Sequence, residues 1–530
     1  MKKIAALILS IILIVNIIPV SAIGGQSFAT YKEAIYNGLY NMETEIELSE
    51  YNVTEDDVFN YIYYLIYQQP EVCYLSYSEI SYSHIGNQVV TLYFEYDISK
   101  DEMLSQRKFI DDTINPVLDK VKNSWSDTEK ALYVHDWLVS NFMYDYRLFE
   151  TPGTENHDIY GFLKEGKGVC QSYAYTYMYM MRKLGLESYM VISPAKDLNG
   201  DGAADVASHG WNVIKVDGNW YHVDATYDDP ILGESFHYDY VGEVSHDKFL
   251  LSDEQIVAKD ENYEHYGFYI PYVDEQIVCN EYMGDDLWRS AVSSVVPVGE
   301  YWYYLDPVGE NGGLLRTKDF KTTERVAKVG EFSVVDDIYY WEKDGGGGYR
   351  GYYTGLFEYN EHLFFSDSRN IYVYDTHHDV VNPLQIEREE GNYYFGLNMK
   401  GKKITYITSR TNIRENVIEG SYTLSGHFLV TDWEVIKYPT ETEDGLRVKR
   451  CYFCGETVES QTIPSLSQDV KGDADGNGKV DTSDLAKMKL FLAGASKEIS
   501  SMADVDSSGK VDTSDLAKMK LFLAGAINEF

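Results

Sequence analysis

The chain has 530 residues, with 85 acidic against 45 basic side chains and a formal net charge of −40. This length predicts several domains, and the charge argues against nucleic acid or an anionic membrane as partner. It suits an exported protein and calcium binding. The 48 tyrosines read chiefly as strand packing and half-buried surface, with sugar-stacking platforms as the alternative.

Residues 1–22 open with Met1-Lys2-Lys3, continue as an apolar run from Ile4 to Ile18 and end on Val20-Ser21-Ala22. That is the pattern of a secretory signal peptide cut after Ala22, with an uncleaved anchor as the alternative. No later stretch is long and apolar enough to span a bilayer, so no membrane contact is expected after cleavage.

Residues 23–125 read as an α/β supporting region. Thr54 with Asp57 starts a helix that Pro70 follows. Gly86-Asn87 joins two strand-like runs as a hairpin. A helix from Lys100 meets Pro116 as a kink or break. No catalytic set is visible in this region.

Residues 126–284 form the predicted core. Ser126 with Glu129 opens a helix through Met143. Gly168-Val169-Cys170 then precedes another, with Tyr173, Tyr177, Met180 and Leu184 on one face and Gly185 as the stop. Cys170 thus falls at a helix N-terminus, where free N–H groups and the helix dipole favour a thiolate. Asp217-Gly218 signals a two-residue hairpin turn pairing Val216 with Asn219, so paired positions sum to 435. Asp224 then lies diagonal to His209 on one sheet face, about 7–8 Å away at Cα and within side-chain reach. Cys170 as nucleophile, His209 as base and Asp224 as orienter make a workable set. A buried structural cysteine and structural strand residues are the plain alternative.

These residues resemble a family. Gly168-Val169-Cys170, His209-Gly210-Trp211-Asn212 and Trp220-Tyr221-His222-Val223-Asp224-Ala225-Thr226 look like the core of the transglutaminase-like superfamily, over about residues 126–230. The resemblance implies a papain-like fold and those three roles. It leaves open peptide hydrolysis, acyl transfer to an amine, or an inactive member, with a protein or peptide as substrate.

Just before His209, the acidic insertion from Asp197 to Asp205 alternates oxygen ligands, but Ser208 stands where a calcium loop needs its last acid. An Asx-rich turn is the main reading and calcium the alternative. Five cysteines, Cys73, Cys170, Cys279, Cys451 and Cys454, are too few for a disulfide scaffold, and their odd number leaves at least one unpaired, with Cys170 the candidate. The single CxxC, Cys451 to Cys454, lacks two further zinc ligands and reads as a local disulfide or free thiols.

Residues 285–450 carry short aromatic strand runs between glycine turns, an all-β region built as a sandwich or as propeller-like blades. Residues 451–470 read as a polar linker. In residues 471–530, Lys479–Ala495 and Lys510–Ala526 are the same seventeen residues at a period of 31. Each copy follows a calcium-loop start. In the first, Asp473, Asp475 and Asn477 take positions 1, 3 and 5, Gly478 the turn, the Lys479 carbonyl position 7 and Asp484 position 12. Asp504, Asp506, Ser508, Gly509, Lys510 and Asp515 match them in the second.

Two loop–helix units of this kind resemble a type I dockerin, a small all-α module with two Ca²⁺ ions. The resemblance implies that Thr482-Ser483 and Thr513-Ser514, the matching hydroxyl pairs, contact the cohesin module of a scaffoldin in a cellulosome, and that docking can run in two orientations. The whole is expected to be a multidomain α+β protein, secreted and cellulosome-associated. The rival from another class is a catalytically silent accessory component of a polysaccharide-degrading complex. A glycosidase reading lacks a carboxylate pair.

Overall fold

The computed structural model describes residues 29–72, 80–193, 208–230, 242–259, 263, 268–273, 276–284, 287–306, 313–326, 341–343, 347–349, 355–366, 370–384, 386–409, 418–424, 431–440, 443–451, 455–465 and 470–530. The leader at 1–22, the insertion Asp197 to Asp205, and Cys73 and Cys454 lie outside them. The chain divides into two compact units, Met1–Tyr422 and Thr423–Phe530.

The first unit begins with α1 (Tyr31–Tyr40), β1 (Glu45–Glu47), α2 (Glu55–Gln68), β2 (Ile80–Ile85) and β3 (Gln88–Phe94). The strands make an antiparallel sheet in the order β1-β3-β2. Reciprocal capping boxes, Thr30 with Glu33 and Thr54 with Asp57, start both helices. Ile35, Leu39, Val58, Ile62, Leu65 and Leu92 fill the layer between helices and sheet. Buried Gln68, at the end of α2, accepts from Met190 N at 2.9 Å and donates to Met190 O at 3.0 Å. The N-terminal layer is thereby tied to the core by a strand-like pair of hydrogen bonds.

The core runs through α3 (Lys100–Leu118), α4 (Asp127–Asn141), β4 (Met143–Tyr144), α5 (Arg147–Glu150), α6 (Ile159–Glu165), β5 (Lys167–Gly168), α7 (Cys170–Lys183), β6 (Ser188–Ser193), β7 (His209–Val216), β8 (Asn219–Val223), β9 (Phe249–Leu251) and α8 (Asp253–Lys259). Pro116 does not break α3, which ends two residues later. The predicted helix from Ser126 stops at Asn141, and Met143–Tyr144 pairs in parallel with Lys167–Gly168. Strands β6-β7-β8-β9 form an antiparallel sheet. Helix α7 buries Tyr173, Tyr177, Met178, Met180 and Met181, more than one face, because it is wedged between α4 and that sheet. Each such side chain contributes about 1.5–3 kcal/mol of burial.

The β7–β8 hairpin has the expected register. Val216 pairs with Asn219 and Asn212 with Val223. Asp217 and Gly218 both have positive φ, 50° and 88°, as a type I′ turn requires.

The β-rich stretch comprises antiparallel meanders, among them a four-stranded sheet from Val296–Val298 to Glu324–Arg325, another from Leu356–Tyr359 to Val380–Pro383, and a three-stranded one from Tyr393–Lys400 to Ile418–Thr423. In the second unit, Glu434–Lys437, Gly445–Arg450 and Thr457–Ile463 form a sheet. The last strand lies inside the stretch expected to be a linker. Its polar residues hid the period-2 placing of Val458, Ser460 and Thr462 opposite Thr457, Glu459, Gln461 and Ile463. Helices Thr482–Leu492 and Thr513–Leu523 follow, packed over Ala474, Met488, Ala503, Val505 and Met519.

Candidate active site

Cys170 is the first residue of α7, half-buried, and Val169 before it provides no side-chain cap. The approach to it is pinned. Asp145 N donates to Gly168 O at 2.9 Å and Val169 N to Asn156 O at 3.1 Å. The buried Asp145 carboxylate accepts Arg147 Nε at 2.9 Å and Asn156 N at 3.2 Å. Gly168 leaves no space for a methyl: a Cβ there would overlap Ser172 Oγ and the Phe162 ring.

His209 opens β7, with its Nε2 2.5 Å from Asp224 Oδ2, and Cys170 is among the groups that act on its charge. The ring lies between Trp211, at 5.4 Å and 18°, and Tyr227, at 4.4 Å and 16°. Burial disfavours charge on this imidazole, but the Asp224 carboxylate and Cys170 outweigh it and raise its pKa to about 10. Asp224 is fully buried and saturated. Its Oδ1 accepts Thr226 N and Tyr227 N, each at 3.1 Å, and its Oδ2 accepts Tyr263 Oη at 2.6 Å besides His209. Burial alone would raise its pKa; the charge of His209 and these donors hold it below the ordinary carboxylate value. Cys170, His209 and Asp224, the three predicted residues, are therefore brought together at the head of α7 and the start of the β7–β8 hairpin.

In the second unit, one carboxylate oxygen each from Asp473, Asp475 and Asp484 lie within 4.8 Å of one another, and so do those of Asp504, Asp506 and Asp515. Asp473 accepts Gly476 N and Gly478 N at 2.7 Å; Asp504 accepts Gly509 N at 2.7 Å. Gly478 and Gly509 take positive φ, 82° and 88°, where the loop reverses. Asn477 Oδ1 accepts Lys479 N at 2.9 Å, and Ser508 Oγ donates to the Lys510 carbonyl at 3.2 Å, so positions 5 and 7 stand side by side in both loops. Asp484 also accepts Asp481 N at 2.7 Å as the far half of a capping box, which suits a short aspartate to that position. Such clustered hard oxygens fit a divalent cation of calcium's type. Thr482, Ser483, Thr513 and Ser514 are exposed at the two helix starts, and Ser483 Oγ donates to Asp475 at 2.8 Å.

Comparison with known proteins gives matches in the same two places. The family model of the transglutaminase-like superfamily matches residues 116–225, and that of the dockerin type I domain matches residues 471–524. The chain carries a transglutaminase-like core and a type I dockerin. No curated protein matches it. Among solved structures it is similar to a TGase at 15% identity, covering 31% of this chain and 47% of that one, with a TM-score of 0.19. It is also similar to the arylamine N-acetyltransferase of Mycobacterium marinum, at 11% identity over 52% and 85% of the two chains, TM-score 0.19. Red sea bream transglutaminase aligns at 8% identity over 72% and 66%, TM-score 0.18. The chain spans about half the length of the TGase and less than two thirds of the first structures it matches.

The transglutaminase-like core holds further groups that sequence reasoning missed. Tyr263 is fully buried, and nothing local marks it among its neighbouring tyrosines. Behind Asp224 lies a buried network. His135 Nδ1 faces Asp136 Oδ1 at 2.9 Å and its Nε2 faces Asp228 Oδ2 at 3.1 Å. His246 Nε2 meets Asp136 Oδ1 at 3.0 Å, and Asp228 N donates to Asp224 O at 3.1 Å. Burial opposes charge on His135, yet the two carboxylates prevail and raise its pKa to about 9. His135, held between the Asp136 and Asp228 carboxyls, thus clips α4 to the segment that follows β8. The pair Asp228-Asp229 after Asp224 was the one visible hint.

Proposed function

We propose that the chain is an exported cellulosome component whose transglutaminase-like core acts on amide bonds through Cys170, while its dockerin docks on a scaffoldin cohesin. The observation that carries the catalytic half is Cys170 at the start of α7 together with an imidazole, His209, that Asp224 holds at 2.5 Å and on whose charge Cys170 acts. With a proton on His209, the sulfur is favoured as thiolate. It attacks the substrate carbonyl carbon, and the tetrahedral oxyanion is met by the backbone N–H at the head of α7. His209 then gives its proton to the leaving amine as the C–N bond breaks, and an S-acyl enzyme remains. Water, or a second amine, loses a proton to His209 and attacks the acyl carbon, which releases the thiolate. Asp224 keeps one tautomer of His209 in place and stabilises its charged form.

For the dockerin half, Asp473, Asp475, Asn477, the Lys479 carbonyl and Asp484 would hold one calcium ion, and Asp504, Asp506, Ser508, the Lys510 carbonyl and Asp515 the other. Calcium, when bound, supplies the counter-charge for the converging carboxylates. The exposed hydroxyl pairs are the proposed cohesin contacts.

The test is the rate of alkylation of each cysteine by iodoacetamide across pH, with His209→Ala alongside, followed by incubation with unstructured proteins and a tagged primary amine. Fast reaction of Cys170 well below pH 8, lost in His209→Ala, with Cys170-dependent peptide release or amine incorporation, is expected. Alkylation of Cys170 no faster than that of Cys279 would sink the catalytic half and leave an accessory protein displayed by its dockerin.

A further inference from the structure

The transglutaminase-like core contains a second cysteine–histidine–aspartate trio, Cys279, His222 and Asp253, outside the candidate site. His222 and Cys279 are buried and Asp253 is the half-exposed first residue of α8. His222 Nε2 is 2.8 Å from Asp253 Oδ1, and the Cys279 sulfur lies within 4.8 Å of the same carboxylate. One ligand-type atom from each lies within 4.8 Å of the others.

Two obvious readings fail on chemistry. As a nucleophile, Cys279 is buried, and burial together with Asp253 pushes its thiol up, away from thiolate. As a metal ligand, His222 would need a bare Nε2. Its Nδ1 sits 3.0 Å from Trp211 Nε1, and an indole N–H can only donate. So Nδ1 is the bare nitrogen, the proton resides on Nε2, and that proton goes to Asp253. Ligation at Nε2 would require an imidazolate or loss of the Trp211 bond.

What the trio does hold is Trp211. The hairpin register explains how. His209–Asp224 and Trp211–His222 are two successive contacts of the same diagonal offset, since Asn212 pairs with Val223 and Val213 with His222. Trp211 is buried and lies nearly parallel to the His209 ring. Its edge also meets Tyr263 at 5.4 Å and 90°, and Tyr263 donates to Asp224. Tyr227, the wall on the other face of His209, is 40% exposed, so Trp211 is the fixed wall.

We infer that Asp253 and His222 are positioning residues: they lock one tautomer, fix the Trp211 indole through it, and so hold His209 flat against Cys170 and Asp224. The inference rests on the proposed role of His209.

The experiment compares the pH profile of Cys170 alkylation in the full chain for wild type, His222→Leu and His222→Gln. Glutamine retains an acceptor for Trp211 and a donor for Asp253. We expect His222→Leu to slow Cys170 alkylation at pH 6 by about tenfold and to shift the profile up by about one pH unit, while His222→Gln stays within about twofold of wild type. A His222→Leu profile equal to that of a fast wild type, or a glutamine variant as slow as leucine, overturns the inference alone. A sluggish wild-type Cys170 overturns the catalytic reading instead, and the positioning role with it. Should His222→Leu fail to fold, nitrogen NMR of histidine-labelled wild type decides: the tautomer protonated at Nε2 supports the inference and one protonated at Nδ1 refutes it.

Discussion

The Asp224 carboxylate receives four hydrogen bonds with no exposure to water, and this concentrates the consequences of single substitutions. Asp224→Asn keeps the shape but removes the charge that holds His209 protonated. Cys170-dependent turnover should fall by about 10³–10⁴-fold, and an NMR titration should place the His209 midpoint well below its wild-type value of about 10. Tyr263→Phe deletes one donor to the buried carboxylate. Urea unfolding should report a loss of about 1.5–3 kcal/mol, the range for a bond to a charged group, with a smaller rate loss than Asp224→Asn. Equal rate losses in the two variants would mean that Tyr263 does more than hold Asp224.

Between elements, the narrowest fit is at the head of α7. Gly168→Ala must push Ser172 or Phe162 aside, both next to the helix start. Thermal unfolding should show about 1–3 kcal/mol of destabilisation, and Cys170 alkylation should slow as its helix start shifts. The clip from α4 to the segment after β8 has its own pH signature. His135 has a folded pKa of about 9 against an ordinary 6.5. A raised value means that its stabilisation is complete below pH 6.5 and is lost as pH climbs through 9. The shift amounts to about 3 kcal/mol at most. Melting curves from pH 6 to 10 should fall steeply in wild type and less steeply in His135→Gln; parallel curves would refute the imidazolium. Much of this architecture was legible in the chain. Asp217-Gly218 sets a turn type, the turn sets the register, and the register sets His209 beside Asp224. Other contacts were not. His135 reaches Asp228 across 93 residues and Tyr263 reaches Asp224 across 39. No local period announces such a meeting, and one tyrosine among 48 carries no mark. The strand Thr457–Ile463 was missed because its residues are mostly polar, while strand pairing depends on backbone groups that every residue has.

At the scale of the molecule, the net charge of −40 and the two acidic loops make the dockerin the part whose stability is set by solution conditions. With free calcium about a thousandfold above Kd, each site adds about 4 kcal/mol to the folded state. Calorimetry of the full chain should show one transition that a chelator lowers or abolishes, and Asp484→Asn with Asp515→Asn should remove that calcium dependence. A thermogram unchanged by chelator would refute calcium as the organising ion. The repeat was the easiest feature to read, because identical residues at fixed spacing need no tertiary information.

The β7–β8 hairpin also bears on how this chain can change over generations. His209 and Asp224 meet because fifteen positions separate them around a two-residue turn. Substitutions along the hairpin leave that count intact. One residue inserted or deleted within either strand does not: it sends one partner to the opposite face of the sheet, although every side chain is still present. The indole of Trp211 and its partner His222 would part in the same event. Descendants of this sequence can therefore vary the letters of the hairpin and the length of its turn, but a single-residue gap inside one strand, not absorbed by a bulge, would part His209 from Asp224.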